Sequence, residues 1–270
     1  MAELDYLQTA VLALIQGLTE FLPISSSGHL LLPSMLLGWP DQGLAFDVAF
    51  HSGTLLAVIW YFRRELARMI AGGLSLEPMS EEGRLFWLLL LATVPVGLAG
   101  LLVRDMVEIH ARSVAVVATT SIVFGLLLGY ADFSGRRDRG PRRKIATIGW
   151  KTALLIGLAQ MLALIPGTSR SGVTMTAALL CRLDRESAAR FSFLLAIPVM
   201  LASGALEALD LLAEPPPAQQ LLLLGFGTAL SALVAWLSIH WFLHWIGRIS
   251  FQPFVVYRVA LGAFLLLFLA

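Results

Sequence analysis

The sequence predicts an all-α polytopic membrane protein, built as an inverted repeat of two halves. Each half is a re-entrant helix pair followed by three transmembrane helices. Three observations carry this expectation. The 270 residues are 58% apolar and only 14% charged, with a mean hydropathy of +0.81; a soluble domain is about a quarter charged. The polar stretch Pro166-Gly167-Thr168-Ser169-Arg170-Ser171-Gly172-Val173-Thr174 lies between two apolar runs, 154–165 and 175–181. Each run is too short for a bilayer, which takes about 20 helical residues. The loop between them therefore belongs at membrane depth, buried in protein or lining a cavity. Finally, the stretch 16–29 repeats this pattern: Gln16 precedes Pro23 as Gln160 precedes Pro166, and Ser25-Ser26-Ser27-Gly28 mirrors Ser169-Arg170-Ser171-Gly172.

In chain order, residues 4–22 are apolar but carry Gln16 and Glu20 near their end, and 30–37 form a short apolar run closed by Gly38-Trp39-Pro40. The two read as a re-entrant pair with residues 23–28 at the tip. Full spans follow near 44–62, 85–103 and 113–131, then a polar linker over 132–151. The second broken pair covers 150–165 and 171–181, followed by spans near 187–209, 219–246 and 252–270. Pro95 and Pro198 fall inside spans, where neighbouring helices absorb a kink. A weaker echo, Phe50 after the first loop and Phe193 after the second, supports two halves, about 1–133 and 150–270, within one integral-membrane domain over 1–270. Three spans per half is an odd number, so the second half is expected to run in from the opposite side. Paired broken segments in such folds point to the binding site.

Short-loop charge sets the expected orientation. The linker holds Arg136, Arg137, Arg139, Arg142, Arg143, Lys144 and Lys151, so it reads as cytoplasmic. Arg63, Arg64, Arg68, Arg84, Arg182, Arg185, Arg190 and Arg248 fall on the same side, leaving Arg104 and Arg112 outside. Both termini then face outward, and the first loop dips in from outside. The first residues, with Glu3 and Asp5, lack the basic start of a cleavable signal. The single Cys181 leaves no internal disulfide and no Cys metal cluster.

The second helix of each pair starts at the loop tip, so two helix N-termini converge inside the protein, near Ser26-Ser27 and Ser171. Free N–H groups and the helix dipole make that place an anion site. Ser25, Ser26, Ser27, Thr168, Ser169, Ser171 and Thr174 offer hydroxyls, with the Gly167 backbone beside them. Arg170 offers a fork suited to phosphate oxygens. An arginine at that depth costs about 2.5–3.5 kcal/mol on insertion scales, so it reads as functional. Glu20 and His29 flank the first loop. Binding alone does not require them, which points to proton transfer or to a cation bridging Glu20 and phosphate. Gln16 lies one turn before Glu20 on the same face.

These residues carry a resemblance. Gln16-x-x-x-Glu20 is similar to the (Glu/Gln)-x-x-x-Glu motif of undecaprenyl-diphosphate phosphatases of the bacitracin-resistance type. Pro166-Gly167-x-Ser169-Arg170-Ser171-x-x-Thr174 resembles that family's second signature, and Ser26 and His29 match its Ser and His. The likeness runs on through 191–196 and the closing stretch from Arg248 to Arg258. Many members have Glu at the position of Gln16; a neutral amide can ligate a cation but cannot act as a base, which puts a two-carboxylate metal site in question. The resemblance implies an inverted-repeat bundle in the bacterial inner membrane that hydrolyses undecaprenyl diphosphate to the monophosphate and inorganic phosphate. It further implies recycling of the peptidoglycan lipid carrier, bacitracin resistance, and dependence on Mg2+ or Ca2+. The expected roles are Arg170, Ser169, Thr174 and the loop N–H groups as the diphosphate cradle, Gln16 and Glu20 as metal ligands, and Ser26 and His29 as nucleophile and proton shuttle. The nucleophile stays open between Ser26, His29 and water. The catalytic opening is expected on the outer side.

Other residues have plainer readings. His51 reads equally as cavity lining or as hydrogen-bonded packing. His240 and His244 share one face, which suits an interfacial position better than a metal pair. His110 is placed in an outer loop, and Cys181 in packing. The basic run 136–144 reads as a topology determinant that meets anionic lipid head groups; a short loop against a bilayer argues against nucleic acid. Expected partners are the lipid substrate and membrane lipids, with a homodimer as an open option. Two other function classes compete: a lipid carrier, because inverted repeats with broken helices are common in transporters, and a non-catalytic anion-binding protein. Glu20, Ser26 and His29 beside Arg170 separate the enzyme from both.

Overall fold

Asp5 starts the first helix. Its carboxylate accepts from Gln8 N at 2.7 Å while Gln8 Oε1 accepts from Asp5 N at 3.0 Å, a reciprocal cap of two otherwise unpaired N–H groups. From there the computed structural model describes residues 4–75, 80–110, 113–137, 140–213 and 215–269. They form α1 (Tyr6–Thr19), α2 (Ser26–Leu37), α3 (Gly43–Leu74), α4 (Glu81–His110), α5 (Val114–Arg137), α6 (Trp150–Gln160), α7 (Arg170–Leu180), α8 (Arg185–Ala213), α9 (Leu221–Ile246) and α10 (Gln252–Phe268). Glu3, Arg112 and Arg139 lie outside the described residues, as do the side chains of Arg104, His110, Arg136 and Arg137.

Five helices, α3, α4, α5, α8 and α9, are long and apolar enough to cross a bilayer, which makes this a multi-pass membrane protein. Three sequence expectations need correction. The last span was expected over 252–270, but α10 has 17 residues and falls among the shorter apolar helices. α3 was expected to stop near 62; it runs 32 residues to Leu74, about 48 Å. The chain holds no Gly or Pro over 63–71, and helix hydrogen bonding does not stop where apolar side chains do. For the same reason α4 continues past 103, so His110 ends a helix rather than sitting in a loop.

The two halves pack through each other. α1 lies on α9 and α6 on α4, while α3 lies on α9 and α8 on α4. α1, the first helix of the first half, thus rests on α9, the fourth of the second, and α6, the first of the second half, rests on α4, the fourth of the first, a crosswise pattern. Small residues permit the approach. A Cβ on Gly17 would lie 2.7 Å from Ser231 O of α9, and one on Gly157 would overlap the Ala92 backbone of α4. α5 and α10 pack side by side. The main apolar cluster runs from Phe21 through Phe193 to Phe242, with ring centroids 5.2 and 5.5 Å apart.

The linker is fastened down. Arg143 N donates to Arg182 O at 2.9 Å and Asp184 N to Arg143 O at 3.1 Å, the one isolated strand bridge among the described residues. Arg142 donates to the carbonyls of Leu179 and Leu183, Lys144 pairs with Asp184 at 2.6 Å, and Arg84 reaches Ala146 O. Arg185 meets Asp132 at 2.6 Å, and Asp132 also accepts from Phe251 N. Of the basic residues expected on one side, Arg84, Arg142, Arg143, Lys144 and Arg185 thus bond to protein groups around the linker.

The crosswise packing generates a matched pair of substitutions. Gly157→Ala forces α6 away from α4 and is expected to cost about 1–3 kcal/mol, as overpacking does. Gly97→Ala, where a Cβ meets nothing within 4 Å, is expected to be neutral or slightly stabilising. Thermal unfolding midpoints of the two purified variants in detergent check this.

Candidate active site

The two loops end in the same backbone trick. Ser25 has φ 73° and ψ 95°, and Ser169 has φ 71° and ψ 110°. Both are rare for a residue with a Cβ and mark strain that the surroundings hold. Each caps the following helix: Ser25 Oγ accepts from Gly28 N at 3.4 Å, and Ser169 Oγ accepts from Gly172 N at 3.1 Å. Each also meets the hydroxyl two residues on, Ser27 at 3.3 Å and Ser171 at 3.2 Å. The turn puts Ser26 and Arg170 at equivalent places, as first residues of α2 and α7.

Those two residues converge on Glu20, just past the end of α1. Ser26 Oγ donates to Glu20 Oε2 at 2.7 Å, and Arg170 donates to Oε1 at 3.1 Å. Gln16 Nε2 donates to Oε2 at 3.1 Å, and His51 Nε2 on α3 stands 4.0 Å from it. Arg170 also donates to Ser192 O at 3.2 Å. Elements α1, α2, α3 and α7 therefore meet at one carboxylate that is 7% exposed. A carboxylate this deep requires such partners, because burying it unpaired is far more costly.

Arg258 of α10 underlies both tips. It is fully buried. It donates to Pro23 O of the first loop at 3.3 Å and to Gly167 O and Thr168 O of the second at 3.0 and 2.8 Å. Ser121 O takes its Nε at 3.2 Å, with Thr120 O weaker at 3.5 Å. The tips also join directly: Ser171 Oγ donates to Leu22 O at 2.9 Å. Gly167 has φ 85°, and a Cβ there would overlap Thr120 and Val117, so that position requires glycine.

Of the residues named from sequence, Gln16, Glu20, Ser26 and Arg170 come together. His29 stands aside. Its Nδ1 meets Ser25 O at 2.7 Å and its Nε2 meets the Tyr257 hydroxyl at 2.6 Å, with the two rings stacked. A carbonyl only accepts, so Nδ1 carries the proton and Nε2 receives Tyr257 O–H or shares a second proton with it. Thr174 Oγ1 pairs with Ser192 Oγ at 2.7 Å and bonds back to the helix backbone. Ser25, Ser169 and Ser171 are engaged within the loops, Ser27 is exposed, and Thr168 Oγ1 is buried without a partner. Arg258, Tyr257 and Ser192 were not singled out from sequence as site residues. An arginine inside an apolar run was the available signal for Arg258. His51, left undecided, belongs at Glu20.

A hard cation fits this cluster. Gln16 Oε1 is buried and unpartnered beside Glu20, and amide, carboxylate and hydroxyl oxygens suit Mg2+ or Ca2+. No group of three or more His, Cys, Asp or Glu side chains is arranged for a metal among the described residues, so most of its shell would come from water and ligand. A separate hollow of about 380 Å³ at the linker, lined by Asp132, Arg142, Lys144, Asp184 and Arg185 among others, shares none of these residues.

Comparison with known proteins bears on this site. The family described as bacitracin resistance protein BacA matches residues 9–264. An undecaprenyl-diphosphatase of Teredinibacter turnerae is 53% identical over 270 residues, covering 99% of this chain and 100% of that protein. One from Saccharophagus degradans is 53% identical over 262 residues, covering 96% and 97%. Undecaprenyl-diphosphatase 2 of Stutzerimonas stutzeri is 52% identical over 266 residues, covering 97% and 98%.

Arg258→Met keeps the volume and removes the donors. It leaves buried carbonyls of both loops unpaired at about 1–3 kcal/mol each. The expected result is a large drop in the unfolding midpoint. Arg258→Lys, a point charge without the fork, is expected to fall between the two.

Proposed function

The chain belongs to the bacitracin resistance protein BacA family, and from that premise we infer an undecaprenyl-diphosphatase. It is a membrane hydrolase that converts undecaprenyl diphosphate to undecaprenyl phosphate and inorganic phosphate. This returns the lipid carrier of peptidoglycan synthesis to use, and bacitracin resistance is the family's association. The observation that carries the site assignment is the convergence of Ser26 and Arg170, each at a helix start, on Glu20.

In the reading we favour, the terminal phosphate lies at the N-termini of α2 and α7, where N–H groups and helix dipoles favour an anion. Arg170 turns from Glu20 to the phosphate oxygens and takes up charge that builds there. Ser26 Oγ attacks the terminal phosphorus while its proton passes to Glu20. The new O–P bond forms as the bridging P–O bond breaks, and undecaprenyl phosphate leaves. Glu20 passes that proton to the departing undecaprenyl phosphate. Water, deprotonated by the restored carboxylate, then attacks the phosphoserine, and the proton goes on to Ser26 Oγ as its O–P bond breaks and inorganic phosphate leaves. Direct attack by water held at Ser26 uses the same groups. His29 is better suited to fixing the Ser25 carbonyl, since both its nitrogens are engaged. Gln16 Oε1 and Glu20 would hold a divalent cation, Mg2+ or Ca2+, which neutralises charge on the diphosphate when bound.

The inverted repeat and the two re-entrant pairs belong to the same reading. The matched Ser25 and Ser169 turns and the crosswise packing support it. α10 serves as the sixth span, at the lower limit of bilayer length. The basic end faces the cytoplasm of a bacterial inner membrane by the charge rule, so the first loop and the catalytic opening face outward. The residue four after Gln160 is Leu164, where the first half has Glu20. Only one half carries the carboxylate, which favours an enzyme over a symmetric carrier. The oligomeric state in this scheme is monomer or homodimer.

Phosphate release from a prenyl diphosphate by the purified protein tests this. Glu20→Gln and Ser26→Ala are each expected to lower kcat by about 100- to 10,000-fold. Full activity in Ser26→Ala would leave water as the nucleophile. Chelation is expected to stop release, and added Mg2+ or Ca2+ to restore it; release indifferent to chelator would remove the cation from the scheme.

A further inference from the structure

His51 is the imidazole this scheme leaves unused. Its Nδ1 lies 2.8 Å from the Asp47 carbonyl, which can only accept, so that nitrogen carries a proton and the ring is held in one orientation. Nε2 is thereby turned to the site. It stands 4.0 Å from Glu20 Oε2, beyond hydrogen-bond reach, and has no closer partner among the described residues. The His51 side chain is 40% exposed, against 7% for Glu20 and 13% for Arg170. Arg170 holds one carboxylate oxygen from the closed side; His51 faces the other from the open side. His29, the histidine that the sequence pattern favours, offers no such nitrogen, since Tyr257 occupies its Nε2. His240 and His244 stack with each other and with aromatic rings on α9.

We propose that His51, through Nε2, contacts the terminal phosphate of the lipid diphosphate, and that it rather than His29 is the imidazole that meets substrate. This rests on the diphosphatase reading above. A terminal phosphate near neutral pH presents oxygens that accept a hydrogen bond and, for part of the population, a P–OH that donates one. Nε2 therefore finds a partner in either form of the ring. The 4.0 Å to Glu20 Oε2 is too short for an oxygen to lie between them, but one placed beside that line on the open side meets Nε2 and leaves the Ser26–Glu20 bond in place.

The test combines protection with kinetics on the full-length protein in detergent. Diethyl pyrocarbonate acylates free imidazole nitrogens, and peptide mapping by mass spectrometry reads each histidine. His51 is expected to react in the free protein and to be protected by a prenyl methylenediphosphonate, which cannot be hydrolysed. His240 is expected to react equally with and without it. His51→Ala is expected to lower kcat/KM for a prenyl diphosphate by about 10- to 100-fold, the range for a hydrogen bond to a charged group, with an unchanged unfolding midpoint. His51→Gln, whose amide can still donate, is expected to recover part of the loss. Equal labelling of His51 with and without saturating diphosphonate would overturn the proposal even if the variants fail to fold. So would kcat/KM within twofold of wild type in His51→Ala. Wild-type protein that binds the diphosphonate but releases no phosphate would instead overturn the diphosphatase reading itself.

Discussion

A broken helix in an apolar interior leaves main-chain carbonyls with no water to meet, and one arginine answers that demand here. Arg258 gathers carbonyls from both loop tips and from α5 onto a single guanidinium. The loops need the arginine for their carbonyls, and the arginine needs the carbonyls for its charge. Neither is tolerable alone at that depth. The left-handed turns at Ser25 and Ser169 persist because this arrangement and the two serine caps over-determine them. Ser26 and Arg170 then have little freedom over where they start their helices.

The same two loops also hold the Glu20 cluster. Glu20 carries negative charge into a place shaped for anions, and Arg170, Ser26 and Gln16 hold it there. An incoming phosphate competes with Glu20 for Arg170 and leaves the carboxylate nearer to Ser26 alone. Substrate binding and activation of the nucleophile are thus one exchange of partners in this scheme. The second half repeats the loop geometry but has Leu164 where Glu20 stands, so the halves share a scaffold and differ in the acid.

Most helix positions were legible because Pro and Gly interrupt apolar runs at both loops and in the connections. Helix lengths were less so: α3 and α4 continue where hydropathy falls, since backbone hydrogen bonding is indifferent to polarity beyond the bilayer. The meeting of Glu20, Ser26 and Arg170 could be read from two copies of one loop. The sequence pattern ranked His29 above His51, and the structure gives the free nitrogen to His51. What separates them is Tyr257, 228 positions away from His29, and the Asp47 carbonyl on His51, neither of which the pattern shows. Arg258 had a signal, an arginine inside an apolar run, but its partners could not be read. They are main-chain carbonyls, which carry no residue-type signature.

Arg258 follows Pro23, whose carbonyl it holds, by 235 residues, and that separation sets an order of assembly. A ribosome makes α1 and the first loop early, but their carbonyl partner emerges only with the last helix, and α1 waits for α9 to pack upon. Long-range contacts of this kind form late. The first loop is therefore made long before its clamp, and the two loop tips are tied together only once α10 has been made. A chain that has not reached α7 and α10 holds Glu20 and Ser26 but neither Arg170 nor Arg258, so both the carboxylate and the first loop still lack the partners that fix them in the fold.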